Sequence, residues 1–388
     1  MIFDVVIVGA GLVGTSLALA LRDSGLRTAL LEPRPVAAVP EDGSFDVRVY
    51  AISPGSARFL DQWGAWGRID PARVEPVLEM QVRGDDGRSE LRFSAYDSGL
   101  PQLACIVESR RLQQALWQAL QGQENIEVLC PAAPAALDVG ESSAVLTLRD
   151  GRALEARLVV GADGAESWVR TQAGIPGQPQ PYGQMGVVAN FETTVPHLGV
   201  ARQWFRRDGV LALLPLPGNR VSMVWSLWDE QARELVGLDP SELCARVSEA
   251  AGADAGNLSL ITPAAAFPLR LLRLSSCIGP RLALIGDAAH NVHPLAGQGV
   301  NLGFGDAREL AAVLRTRGPQ PDCGHPLLLR RYQRARREEV LAMQLTTDGL
   351  QRLFNNAVPG LAEARNLGLR LTGQLGPIKN FLIRRALG

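Results

Sequence analysis

VVIVGAGLVGTSLALALRDSGLRTALLE, residues 5 to 32, sets the fold class. The apolar run Val5–Val8 reads as a strand, Gly9-x-Gly11-x-x-Gly14 as a tight turn into an amphipathic helix, and Thr28–Leu31 as a second strand ending at Glu32. Gly9 suits the tight turn, Gly11 a close backbone approach to a pyrophosphate, Gly14 helix-on-strand packing, and Glu32 a hydrogen bond from a ribose hydroxyl. A lone GxGxxG is weak, because a purely structural turn uses it too. Here strand, turn, helix, second strand and acid fall in register. That predicts a dinucleotide site, and an acid at the ribose position favours FAD or NAD over a 2′-phosphate.

Two later stretches decide between those cofactors. RLVVGADGAESWVR (157–170) is a second strand-to-turn-to-helix passage, with Gly161, Asp163 and Gly164 at its turn. GDAAHNVHPLAGQGVNLGFGDA (286–307) follows the apolar run LALI and leads into DARELAAVL, which has helical spacing. A simple NAD dehydrogenase has one glycine-rich phosphate turn and no use for acids at two later strand ends. A flavin dinucleotide running through the fold does, since its ribityl chain and pyrophosphate need acceptors at several strand ends. FAD is the predicted cofactor.

Bulk composition excludes other classes. With 388 residues, 46% apolar and 20% charged, the chain suits a globular enzyme. Its net charge of −1 gives no nucleic-acid footprint, and no window approaches the about 20 apolar residues of a membrane span. The N-terminus MIFDVVIVGAG carries an acid where a signal peptide needs basic residues, so it reads as a first strand and predicts a cytoplasmic protein. Cys105, Cys130, Cys244, Cys277 and Cys323 are scattered without a CxxC, which argues against disulfides and structural zinc.

The three passages together resemble the group A flavoprotein monooxygenases, the p-hydroxybenzoate hydroxylase-like family. HPLAGQGVNLGFGDA, RVYAIS (48–53), LALLPLPGNRVSMVWS (211–226) and the ending NLGLRL…ALG narrow the likeness to the ubiquinone-biosynthesis hydroxylases. The resemblance implies that the first motif holds the ADP half of FAD. Asp163-Gly164 would lie near the pyrophosphate and the nicotinamide path, and Gly286-Asp287 would bind the ribityl chain. It further implies hydroxylation of the ring of a polyprenylated phenol by way of a flavin C4a-hydroperoxide, with O2 and a transiently bound NAD(P)H. Arg48 then contacts FAD beside the opening for flavin or substrate; its plain alternative is a surface salt bridge. Two departures stand out. Gly305 occupies the place where the family carries an arginine before the aspartate, and the family's FAD-contacting arginine at the start of a later helix aligns with Ser109, flanked by Arg110 and Arg111.

A flavin hydroxylase needs donors aimed at the N1 and C2 carbonyl region of the reduced ring. Backbone N–H groups at Gly297, Gln298, Gly299, Val300 and Asn301 would supply them from a helix start, with Pro294 fixing the chain alongside. His290 and His293 stay open: the HxxH spacing lacks a glutamate and a third ligand for a metal, so they are packing or polar-network residues, or one relays a proton from the phenol. No metal is predicted.

Ala201–Leu216 and Arg220–Trp228, joined by Pro-Gly-Asn, read as a β-hairpin with Trp204, Leu214, Met223 and Trp225 sharing a face, either as sheet core or as pocket lining. The expected architecture is α/β: a discontinuous Rossmann-like FAD-binding domain (1–75, 101–178, 273–350), an antiparallel β-sheet substrate domain (76–100, 179–272) and a C-terminal basic helical segment (351–388). There Arg352, Arg365, Arg370, Lys379, Arg384 and Arg385 face the single acid Glu363. That face could meet an anionic membrane or a partner in a biosynthetic complex, or simply be solvated. The rival functions are hydroxylation of a small soluble phenol, a flavin scaffold without turnover, and a flavin reductase of prenyl chains.

Overall fold

Runs such as VVIV, TALL and LVV are apolar at every position, which fits strands buried on both faces. They pair as the first sheet of the computed structural model, in the order β17 (Ile278–Gly279), β18 (Leu282–Leu284), β11 (Ala153–Gly161), β1 (Ile2–Val8), β2 (Thr28–Leu31) and β8 (Ile126–Leu129). From β18 to β8 the pairing is parallel. The antiparallel strands β9 (Pro134–Val139) and β10 (Ala144–Leu148) attach to β11. The structure describes residues 2–86, 89–293, 297–318, 320 and 322–354. Pro294 and the basic segment past residue 354 therefore lie outside the described residues.

One face of this sheet buries Val5, Ile7, Leu30 and Val160 against helices α1 (Leu12–Ala20), α3 (Ser109–Leu120), α7 (Gly299–Arg315) and α8 (Pro326–Phe354). The other buries Val6, Val8 and Val159 against β10 and the short helix α4 (Trp168–Gln172). Because parallel strands all end on the same edge, the turns after β1, β11 and β18 open at one end of the sheet. That is where ligands bind in such folds.

The second sheet runs β16 (Leu258–Leu271), β12 (Gln180–Thr193), β15 (Arg220–Trp228), β14 (Gly209–Leu216), β13 (Val200–Arg206), β5 (Glu79–Arg83) and β6 (Glu90–Ser94). All its pairs are antiparallel except β13 with β5. The stretch expected as one hairpin arm, Ala201–Leu216, is two strands, folded back at Arg207-Asp208 ahead of Gly209. Asp-Gly between alternating strands is a hairpin signal, so the turn was legible. Helices α5 (Asp229–Gly237) and α6 (Pro240–Ala251) cover one face of the sheet, over Trp204, Leu211, Met223 and Trp225. Leu214 points the other way: it opposes Ser222 and packs with Val49 and Ala51. The four residues expected on one face thus divide, and the three on the helix-covered side are core.

A small third sheet, β3 (Val49–Ile52), β7 (Ala104–Glu108) and β4 (Glu75–Val77), joins the two through Val77, Ile106, Ala201 and Leu216. Helix α2 (Pro54–Gln62) follows β3 and packs on α7. Helix α8, 29 residues and about 43 Å long, spans both halves. Leu329 and Tyr332 enter the core beside the first sheet, whereas Leu350 and Leu353 pack by Phe205 and Val82 of the second. Among the described residues no helix is long and apolar enough to cross a membrane.

Candidate active site

The first turn is built around three glycines with different work. A Cβ on Gly9 (φ +102°) would lie 2.5 Å from the Ala162 carbonyl oxygen, and one on Gly14 would lie 2.0 Å from the Gly9 oxygen. Both contacts are with backbone, which cannot yield. A Cβ on Gly11 would meet nothing within 4 Å. Gly11 is the N-cap of α1, with no side-chain cap and no acid in the first turn, so the N–H groups there are free to face an anion. Glu32 Oε2 accepts from Ala10 N at 3.0 Å, which places the acid beside the turn. The Ala10 oxygen accepts from Thr15 Oγ1 (2.9 Å), Gln113 Nε2 (2.6 Å) and Trp117 Nε1 (3.2 Å). Gln113 and Trp117 come from α3, a hundred residues away, and no local pattern pointed to them.

At the second turn Asp163 accepts from Ser167 Oγ (2.6 Å) and Val169 N (3.0 Å), pinning the loop to the start of α4. Gly164 takes φ +82°, a conformation that favours glycine. The buried Arg170 was not singled out from the sequence. It donates to the oxygens of Ala288 (2.9 Å) and Ala165 (2.8 Å), tying the second turn to the third. Burial lowers its pKa, with Asp163 acting in the opposite sense.

The third turn is locked from below. Asp306 on α7 accepts from Gly286 N (2.8 Å), from Arg336 Nε on α8 (2.7 Å), and bonds His290 Nε2 (2.6 Å). Burial opposes each charge, but the pairing outweighs it: Asp306 is held below the ordinary carboxylate value and His290 above the ordinary histidine value. His290 is therefore an ion-pair member with Nε2 committed to Asp306. A Cβ on Gly305 would lie 2.7 Å from an Arg336 nitrogen. The Arg336 guanidinium thus lies over a glycine that leaves it room.

Asp287 is exposed, yet protein mass around it desolvates its carboxyl and raises its pKa, with His290 and Arg48 acting against that. A group both solvent-accessible and desolvated sits in a concavity. The guanidinium of Arg48 lies 5.3 Å from the Tyr50 ring and 5.9 Å from the Phe267 ring, on the side where the two sheets meet. These are its side-chain contacts among the described residues; no ion pair was found there. Gly297 (φ +60°) lies against Ala51, Val300 packs on the core, and a Cβ on Gly299 would meet only Val292, at 3.9 Å. Asn301 bonds the Ala51 oxygen (2.8 Å) and accepts from Ser53 N (3.0 Å), fixing the start of α7 to β3. At the start of α3, Arg110 N donates to Asp46, and Arg111 pairs with Glu108, itself bound to Arg73. Neither arginine side chain is drawn toward the turns.

The face of the second sheet turned away from α5 and α6 carries Gln184, Gly186, Val188 and Asn190 of β12, all buried, with Ser222 opposite Asn190 and Phe267 opposite Gly186. His293 reaches this face: its ring meets Tyr182 edge-on at 5.1 Å, and Nε2 lies 3.2 Å from Gln184 Oε1. Burial pushes its pKa down to about 4, Asp348 acting the other way. The two histidines thus have opposite electrostatics. Three turns with an open glycine, an uncapped helix start and a desolvated acid in a concavity suit a long anionic dinucleotide.

The profile of the FAD binding domain family matches residues 3–345. The chain is 36% identical over 386 residues to ubiquinone hydroxylase UbiL of Rhodospirillum rubrum, covering 99% of this chain and 89% of that one. It is 35% identical to the 3-demethoxyubiquinol 3-hydroxylase of Escherichia coli, covering 99% and 98%. Among solved structures, PqsL of Pseudomonas aeruginosa in complex with 2-aminobenzoylacetate superposes with a TM-score of 0.78 at 25% identity, over 95% of this chain and 99% of that one.

Proposed function

The chain belongs to the FAD binding domain family, and on that premise we propose that it is an FAD-dependent monooxygenase that hydroxylates the aromatic ring of a polyprenylated phenol in ubiquinone biosynthesis, using NAD(P)H and O2. The observation that carries this reading is the convergence of three strand-end turns at one end of the parallel sheet, in a chain similar over almost its whole length to two ubiquinone-pathway hydroxylases. When bound, FAD takes up reducing equivalents from NAD(P)H and passes one oxygen atom of O2 to the ring.

The protein's own part is binding, orientation and electrostatics. In this reading Gly9, Gly11, Gly14 and the start of α1 hold the pyrophosphate, and Glu32 the ribose. Asp163 shapes the second turn, and Gly286 and Asp287 hold the ribityl chain. Gly297, Gly299, Val300 and Asn301 present the start of α7 to the ring, where backbone dipoles stabilise negative charge without reorganising. Arg48, between the sheets, adds positive charge at the mouth. The face of the second sheet turned away from α5 and α6 excludes water from the reacting ring and orients it. The basic segment 351–388 belongs to the proposal as the contact with an anionic membrane or a biosynthetic complex, which suits a cytoplasmic enzyme with a prenylated substrate.

The test is NAD(P)H oxidation and O2 uptake by the FAD-loaded protein with a short-chain prenylphenol, with product mass recorded. A substrate-stimulated gain of one oxygen atom is expected. NAD(P)H oxidation that never yields this product with any prenylphenol would overturn the reading.

A further inference from the structure

Helix α8 buries one side and leaves a long stripe outside. Inward, Tyr332 donates to the Leu284 oxygen at 2.9 Å, Arg336 pairs with Asp306, and Gln344 donates to the Leu272 oxygen at 2.7 Å. At about 3.6 residues per turn, the opposite side carries Arg330, Arg331, Arg334 and Arg337 on one stripe, and all four are exposed. Leucines flank them along the same stripe: Leu327 is 63% exposed, Leu341 46% and Leu345 56%. From Leu327 to Leu345 the stripe runs about 27 Å.

Its charge is unbalanced. Arg331 donates to Thr316 Oγ1 at 3.4 Å, whereas Arg330, Arg334 and Arg337 have no hydrogen bond or ion pair among the described residues. Arg334 stands four residues from Arg330 and three from both Arg331 and Arg337, spacings at which like charges on a helix repel. Glu338 is the one acid on the stripe, because Glu339 turns to the buried Arg336. A helix face that is merely solvated commonly alternates its signs. This one keeps its repulsion until an anionic surface meets it.

The leucines decide which surface that is. A nucleic acid offers phosphates but no apolar layer, and a net charge of −1 gives the chain no wider basic footprint for one. A lipid surface offers both: phosphates for the guanidinium groups and, just beneath, the acyl boundary for the leucines. We propose that the outer stripe of α8 docks the protein on an anionic phospholipid membrane, with the four arginines at the phosphates and Leu327, Leu341 and Leu345 pressed into the headgroup layer. This surface is separate from the basic segment 351–388 and does not depend on the hydroxylase reading. With −1 net over the chain, the residues outside the stripe are net negative, so an anionic membrane draws this side and repels the remainder.

The test floats the full-length, FAD-loaded protein with vesicles of phosphatidylcholine alone or mixed equally with phosphatidylglycerol, at low and at high salt. Every variant keeps residues 351–388, so a loss belongs to α8. The unaltered protein should bind the anionic vesicles, leave them in high salt and ignore the neutral ones. Arg330→Gln, Arg334→Gln and Arg337→Gln combined should weaken binding about a hundredfold, at about fivefold per arginine. Leu341→Ser with Leu345→Ser should weaken it about tenfold and leave the salt dependence in place. Both variants should keep their FAD and their turnover of a short-chain prenylphenol without vesicles, which reads the hydroxylase separately. Full-strength binding by either variant, or none by the unaltered protein, would overturn the proposal. Self-association of the unaltered protein that disappears in the leucine variant, with vesicle binding unchanged, would assign the stripe to a second copy instead.

Discussion

The turn cluster of the first sheet and the helix-free face of the second solve opposite problems with the same residue types. Around the turns, polar groups are paired within the protein: Asp306 holds Gly286, His290 and Arg336, while Asp163 holds Ser167 and Val169. On the sheet side, Gln184 Nε2, His293 Nδ1, Asn190 Oδ1 and Ser222 Oγ are buried without partners among the described residues. A site for a cofactor that stays bound must hold its shape by internal bonds, whereas a face for an exchanging substrate can leave donors and acceptors open for it.

The largest expected difference comes from the same glycine substitution in each region. In Gly14→Ala the new Cβ meets the Gly9 carbonyl at 2.0 Å, a backbone atom that moves only if the turn opens. In Gly186→Ala it meets the Phe267 ring at 2.8 Å, and a side chain can swing aside. Gly14→Ala should therefore yield protein with little or no bound FAD. Gly186→Ala should keep its FAD and change only substrate affinity. The flavin-to-protein absorbance ratio after purification checks both, and equal FAD loss in the two variants would break the comparison.

Next in size is the ion pair network under the third turn. Arg336→Leu leaves Asp306 buried with His290 as its one charged partner, and breaking such a buried pair costs about 3 kcal/mol or more. The pH dependence has a definite sign. His290 titrates above its unfolded value, so its stabilisation is complete below about pH 6.5 and is lost as pH rises through the raised value. Asp306, held low, contributes above the ordinary aspartate range and loses its effect in acid. Urea midpoints across pH should fall on the alkaline side in the unaltered protein and flatten there in His290→Gln. His293, neutral on the sheet side, should contribute no such alkaline fall.

How much of this was legible follows from the range of the interactions. Gly9, Gly11, Gly14 and Glu32 were readable because a tight turn and a following strand impose residue types at fixed local spacing. Asp163 and Asp287 were placed at strand ends for the same reason. Arg336 was invisible: its reason for existing is Asp306, thirty residues back on another helix, and the absent side chain at Gly305 gives no sign of what fills its space. Gln113 and Trp117 escaped likewise. On the sheet, alternation assigned residues to two faces, but the turn at Arg207-Asp208 set the register, and missing it put Leu214 with Trp204.

The smallest and sharpest test is one substitution made twice. Ser167 is buried and doubly bonded: its hydroxyl donates to Asp163 at 2.6 Å and accepts from Arg170 N at 3.0 Å as the cap of α4. Ser167→Ala removes both bonds and leaves Asp163 short of a donor, so it should destabilise by about 1–2 kcal/mol. Ser222 is equally buried but its hydroxyl has no partner among the described residues. Ser222→Ala deletes an unsatisfied polar atom in exchange for little lost packing, so stability should hold or rise by up to about 1 kcal/mol. The same oxygen removed from two buried serines should thus move the denaturation midpoint in opposite directions. If Ser222→Ala instead costs as much as Ser167→Ala, its hydroxyl is bonded in the folded protein, and the sheet face is as closed a polar system as the turns.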